Sequence, residues 1–310
     1  MLKYTLRRFV YMLITLWLII SFTFVLMKNL PGDPFGEMSN KIPKDVKAVL
    51  MREYGLDKPL WQQYTHYIGN VVQGDLGVSF QFPNRKVTSV IKQGFPASLE
   101  LGIFSTCLAV LIGLPLGIFA SLKHGKWQDY TAMFIAVLGV SIPSFVLGPI
   151  LSYYVGVKLG WLPAGLWKGP QYMILPGFAL SFGTLAILAR LMRTSMLDVL
   201  NQDYIKTARA KGLNKLSIVW KHTIRNAILP VITILGPIFV NTITGTLVVE
   251  KIFSVPGLGD QFVSSVYSND YTMISGLTIF YAVVLMIVIF FTDIIYGLVD
   301  PRIRLGKGSR

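Results

Sequence analysis

Six long apolar runs alternate with polar segments along the chain, at Phe9–Met27, Leu101–Leu122, Tyr130–Val157, Tyr172–Ala189, Ala227–Val249 and Tyr271–Thr292, and none contains Asp, Glu, Lys or Arg. About 20 apolar residues in a helix cross a ~30 Å hydrocarbon core. One ionisable side chain at the bilayer centre costs ~2.5–3.5 kcal/mol on insertion scales, so runs this clean predict membrane-spanning helices. Membrane strands would show short alternating segments, and these runs do not. The pattern predicts an all-α polytopic membrane protein with six transmembrane helices. Phe9–Met27 exceeds the apolar stretch of a signal peptide, and no small-residue cleavage site follows it. It reads as the first span.

Between the first and second runs, residues 28–98 are polar enough to form a small water-exposed domain, expected to be mostly helical. Pro43 suits a helix start that Gly55 would end. Pro59 suits another over Leu60–Gln73, with Leu60, Trp61, Tyr64, Tyr67, Ile68, Val71 and Val72 on one face and Gly74 as the stop. Gly77–Phe82 reads as a short strand or loop. Residues 1–98 thus form a first helix plus this domain, residues 99–298 a five-helix core, and 299–310 a basic tail. Pro115, Pro143, Pro149, Pro176 and Gly236-Pro237 punctuate the spans. Each proline leaves a carbonyl for a neighbour to satisfy, and Gly113 and Gly117 have the spacing of a close helix contact.

Composition agrees with this. The 310 residues are 53% hydrophobic and 14% charged, against about 25% charged in soluble domains. The net charge of +14 acquires meaning from its distribution. Segments 1–8, 123–129, 190–225 and 300–310 hold 17 Lys/Arg, whereas the short segments 158–171 and 250–270 on the other side hold 3. Basic loops stay inside, so both termini and the 190–225 segment are expected in the cytoplasm and 28–98 outside. The single cysteine, Cys107, lies in an apolar run and makes neither an intrachain disulfide nor a metal site.

The segment 190–226 is a polar island between two spans. Eight Lys/Arg stand there against Asp198 and Asp203. Asp203 is placed to cap a short helix Tyr204–Lys211, Gly212 is the expected stop, and Asn214 can cap a second helix through Trp220 to Arg225. Two helices with a glycine corner predict a compact knob suited to docking another protein.

The sequence offers no catalytic chemistry. There is no phosphate-cradling G-x-x-x-x-G-K-[ST], no H-E-x-x-H and no Cys/His cluster. An ion-coupled carrier, the competing class, needs an ionisable group near mid-membrane. Glu100, Arg190 and Asp293 all fall at predicted span ends. The spans carry neutral polar groups instead, including Ser144 and the dense patch Asn241, Thr242 and Thr244. These are candidates for lining a polar path, and Ser and Thr equally bond their own helix backbone.

The run TARAKG at Thr207–Gly212, followed by HTIRNAILP at His222–Pro230, resembles the cytoplasmic loop of ATP-binding-cassette importer permeases of the peptide and nickel group. Lys206 and Thr207 stand where the wider superfamily has Glu and a first Ala; Ala208 and Gly212 match its second Ala and its Gly. LPGDP at Leu30–Pro34, YGLDKPLWQQY at Tyr54–Tyr64, GDLGVSF at Gly74–Phe80, SIPSF at Ser141–Phe145, LGWLPAG at Leu159–Gly165, VVEKIFSVPGLG at Val248–Gly259 and DPRIR at Asp300–Arg304 extend the likeness over nearly the whole chain. It is nearest the B-type subunits of oligopeptide transporters. The resemblance implies a type I importer permease in a bacterial inner membrane. The implied partners are a homologous second permease subunit, two cytoplasmic ATPase subunits that bind ATP and magnesium, and an external substrate-binding protein that delivers peptide. This chain would be no enzyme and hold no cofactor. The resemblance further implies that Thr207, Ala208, Ala210, Lys211, Gly212, Leu213 and Asn214 engage the ATPase. Permeases for dipeptides, glutathione or chelated nickel share these motifs.

Overall fold

A computed structural model describes residues 2–29, 49, 51–52, 55–82, 84–244 and 246–299. Among them the regular structure is helical, and the one β pairing is an isolated antiparallel bridge between Val78 and Lys86. In chain order the helices are α1 (Leu2–Asn29), α2 (Leu60–Val72), α3 (Val87–Leu122), α4 (Trp127–Ser141), α5 (Ser144–Lys158), α6 (Ile174–Leu200), α7 (Asp203–Ala210), α8 (Lys215–Ala227), α9 (Leu229–Thr244), α10 (Leu247–Phe253), α11 (Leu258–Tyr267) and α12 (Tyr271–Val299). The last turns of α5 and the middle of α8 are π-helical.

α1, α3, α6 and α12 are long and apolar enough to cross a membrane unbroken, and α4–α5 and α8–α9 qualify as bent pairs, giving six crossings if each pair is one. The run Tyr130–Val157 is therefore not a single straight helix. It turns by 102° between α4 and α5. Pro143 disfavours helical backbone at the residue before it, and Ile142 is extended at φ −95°, ψ 110°. Pro149, by contrast, lies inside α5. α3 begins fourteen residues before the predicted span. Its first turns carry Val87, Val90 and Ile91 on one buried face, packed on Leu258, Met273 and Leu277, while Lys92 and Gln93 on the other face are exposed. The helix expected after Pro43 lies mostly outside the described residues.

The chain divides into two compact units, residues 1–96 with 256–310, and residues 97–255. In the first unit α1 packs along α12. Arg8 pairs with Asp293 at 2.9 Å, and Phe9 meets Phe290 edge-on at 6.1 Å between ring centroids. The amphipathic α2 lies against α1, with the Ser21 and Tyr64 hydroxyls 2.6 Å apart and Phe24 against the rings of Tyr64 and Tyr67. Burial pushes the Tyr67 phenol up. The segment Gly77–Phe82 is a loop held by Asp270. That fully buried carboxylate accepts hydrogen bonds from the Ser79 hydroxyl, from the Phe80 amide at 3.3 Å and from the Met273 amide at 3.2 Å, the last at the start of α12. Asp270→Ala removes a cap and strands buried donors at once, each effect being ~1–3 kcal/mol. We expect limited proteolysis at residues 75–82 to become several-fold faster while the rest of the chain keeps its protection.

The second unit is built on α6. Leu185, Leu188, Met192 and Met196 are buried in one cluster with Ala109 of α3, Ala227 of α8 and Val231 of α9. A second cluster joins Leu101, Leu175, Val249 and Phe253. Small residues let helices touch backbone to backbone. A Cβ on Gly113 would come within 2.8 Å of the Leu185 carbonyl oxygen, one on Gly117 would overlap that of Ala189, and one on Gly139 of α4 would meet Ala186 Cβ at 2.8 Å and the Phe182 oxygen at 2.9 Å. The Gly113/Gly117 spacing is thus used against α6, with Pro115 accommodated inside α3.

Candidate functional site

α6 runs straight into the basic island, and the two-residue link Asn201–Gln202 turns the chain into α7. Asp203 is the first residue of α7 rather than its cap, which is Gln202 without a side-chain bond. The Asp203 carboxylate instead pairs with Lys206 at 2.8 Å, on a helix face where both are exposed. A negative group in the first turn still suits the helix dipole. The stop is as expected: Gly212 is left-handed at φ 79°, and a Cβ there would touch nothing within 4 Å. Asn214 caps α8, its side-chain oxygen accepting from the Ser217 amide at 2.7 Å.

The corner between α7 and α8 has its own small core. Ile205 and Ala208 of α7 and Ile218 of α8 are buried together, with Val199 of α6 packed against them. Asn226 Nδ2 donates to the Tyr204 hydroxyl at 3.1 Å and so ties the two helices at their far ends. The seven positions singled out in the sequence therefore separate. Ala208 is buried and holds the knob together. Thr207, Ala210, Lys211, Gly212, Leu213 and Asn214 are exposed on it. Leu216 and Trp220 of α8 are 71% and 64% exposed, and Lys206, Lys211, Lys215 and Lys221 of the same knob are exposed as well. Ile205 was missed by motif reasoning, although its spacing of three from Ala208 marks an inward face. Because Gly212 and Asn214 act only locally, Gly212→Ala should cost about 1–2 kcal/mol through its left-handed backbone and Asn214→Ala about 1 kcal/mol as a lost cap. Both are read as faster amide hydrogen exchange over residues 203–217 alone.

The other predicted polar groups are not gathered into one site. Thr242 is buried and donates to the Ile238 carbonyl of its own helix at 2.9 Å. Asn241 is exposed on α9, and Ser144 is half-buried at the start of α5. The Thr244 side chain lies outside the described residues. Of the ionisable span-end residues, Asp293 is paired with Arg8, and Glu100 and Arg190 are exposed. Among the described residues no group of His, Cys, Asp and Glu could hold a metal ion.

One charged cluster was not foreseen. Asp129, 2% exposed at the start of α4, receives a two-pronged guanidinium from Arg193 of α6, Nε to Oδ1 at 2.6 Å and Nη2 to Oδ2 at 2.7 Å. Oδ2 also accepts from the Gly125 amide at 3.1 Å, and His124 Nδ1 stands 3.2 Å from it. The partners are 64 residues apart in sequence, so neither composition nor local spacing announces them.

The described residues form a helical scaffold with up to six apolar crossings and a basic knob between α6 and α9, an architecture that fits a membrane component of a transport system. The family described as binding-protein-dependent transport system inner membrane component matches residues 113–305, and the N-terminal part of that membrane component matches residues 1–102. The chain belongs to this family. It is 45% identical over 310 residues to the dipeptide transport system permease protein DppB of Bacillus subtilis, covering 99% of each chain. It is 41% identical over 306 residues to the oligopeptide transport system permease protein OppB of Haemophilus influenzae, covering 98% of this chain and 100% of that one. In fold it is similar to the inward-facing MetNI methionine ABC transporter, with a TM-score of 0.58 at 19% identity over 69% of this chain and 97% of that chain.

Proposed function

We propose that this chain is one of two permease subunits of an ATP-driven importer of short peptides, and that the α7–α8 knob is where a partner ATPase docks. The observation that carries this reading is the knob itself. It has a private buried core, a glycine helix stop at Gly212, a capped helix start at Asn214 and exposed apolar residues, which a loop serving only to hold charge at a membrane surface does not need. Its exposed Thr207, Ala210, Lys211, Gly212, Leu213 and Asn214, with Leu216 and Trp220, are the contact surface in this proposal. The 17-to-3 distribution of Lys/Arg supports a cytoplasmic position for the knob and both termini. ATP and magnesium belong to the two ATPase partners, and an external binding protein delivers the peptide. Moving a gate from 1:99 to 99:1 takes ~5.5 kcal/mol of differential binding, which ATP-driven closure supplies through the knob.

The substrate is a peptide, with oligopeptides as the reading adopted and dipeptides as the neighbouring one. The relatives named for the two are similarly close. The six apolar runs hold no Asp, Glu, Lys or Arg, so this half of the path carries little fixed charge with which to measure a peptide's termini. Length selection then resides in the binding protein, and Ser144, Asn241, Thr242 and Thr244 are proposed only as neutral groups along the path. The test is site-specific cross-linking from Leu213 in native membranes. Capture of the ATPase subunit at that position, and none from Trp127, supports the assignment; no capture at any of residues 207–220 removes it.

A further inference from the structure

We infer that Asp129, Arg193 and His124 are positioning residues for energy coupling: they pin α6 to the α3–α4 turn so that the three helices move as one body with the knob. This rests on the knob being the ATPase dock. Force applied there enters the chain along α6, and Arg193 lies seven residues before the end of that helix, about 10 Å along its axis. Elsewhere α6 meets α3 and α4 through apolar packing of Leu185, Leu188 and Met192 around Ala109 and through close contacts at Gly113, Gly117 and Gly139. Apolar packing is non-directional, so it opposes separation more than it fixes the register along the axis. A two-pronged guanidinium–carboxylate pair does resist sliding, because both bonds lose their alignment together when one helix shifts by an ångström or two. The pair sits where sliding would begin, at the end of α6 next to the knob. Its carboxylate is held by Arg193 on α6 and by the Gly125 amide on the α3–α4 turn. His124 Nδ1 lies 3.2 Å from the carboxylate and 3.1 Å from Arg193 Nη2; it donates to the first or accepts from the second according to its tautomer, and either bond ties the turn to the ion pair.

The experiment uses the whole complex, purified with its own ATPases and binding protein and reconstituted in proteoliposomes. It measures uptake of labelled alanine peptides of two to five residues alongside ATP hydrolysis. Asp129→Asn is expected to keep the ATPases bound, basal hydrolysis within about twofold and the KM for loaded binding protein unchanged, while peptide imported per ATP falls at least tenfold. Arg193→Lys keeps the charge but loses the fork, and should lower the same ratio about threefold. It carries the test should the Asn variant not accumulate. A wild-type import-to-ATP ratio in either assembled variant overturns the inference, as does a loss confined to thermal stability. Failure of the wild-type complex to retain ATPases would instead count against the docking assignment, so the two can be told apart.

Discussion

Replacing Ile205 by aspartate is expected to abolish ATP-dependent import while leaving the chain in the membrane. Ile205 is fully buried between Ala208, Ile218 and Val199. A carboxylate there would be buried without a partner, at a cost of several kcal/mol, and the knob's core is too small to absorb it. The corner between α7 and α8 should open locally, because the clusters on α6 that hold the second unit together do not include Ile205. Import should fall at least a hundredfold, and co-purifying ATPase should fall with it, whereas thermal melting of the remaining chain should shift little. Ile205→Val, which keeps the core apolar, should retain most activity. Normal import by the aspartate variant would show that the knob is not a loaded part of the machine.

The second large effect is on assembly of the fold. Gly117→Leu is expected to prevent accumulation of folded chain, with at least a tenfold drop in the amount that survives detergent extraction as a single species. The first atom of any side chain at Gly117 would overlap the Ala189 carbonyl oxygen, with Met192 Cβ at 2.9 Å and the Arg193 amide nitrogen at 3.1 Å beyond it. These are backbone and near-backbone atoms that cannot rotate away. α3 must therefore leave α6, and overpacking of this kind costs more than the ~1–3 kcal/mol typical where side chains can adjust. Gly183→Ala is the control. Its new methyl would meet the Gly139 oxygen at 3.4 Å, an ordinary contact, and it should extract like the parent.

Much of this architecture is legible in the residue order because lipid imposes a simple rule. A span must be apolar for about 20 residues, and the described residues of these runs are almost entirely helical, with a break at Ile142–Pro143. Local capping chemistry was equally readable: Gly212 and Asn214 sit where their backbone and side-chain preferences place them. Features set by distant partners were not readable. The direction of the chain after Pro143 depends on what α5 packs against, so the residue string gave the break but not the 102° turn. The first turns of α3 looked polar because Lys92 and Gln93 lie on their open face, while Val87, Val90 and Ile91 are paired with residues nearly two hundred positions later. Asp129 and Arg193 stand 64 residues apart, so only the packing of α4 beside α6 brings them together. Ala208 matched a motif and was read as a contact, although its small size serves the knob's interior.

The most direct measurement is uptake of a labelled peptide into proteoliposomes containing this chain, with and without its ATPase and permease partners and the binding protein, under an ion gradient or with ATP. Uptake is expected only in the full assembly, only with ATP on the knob side, and unchanged when ion gradients are collapsed. Uptake by the chain alone, driven by a proton or sodium gradient and insensitive to ATP, would contradict the account and return attention to Glu100 and Asp293.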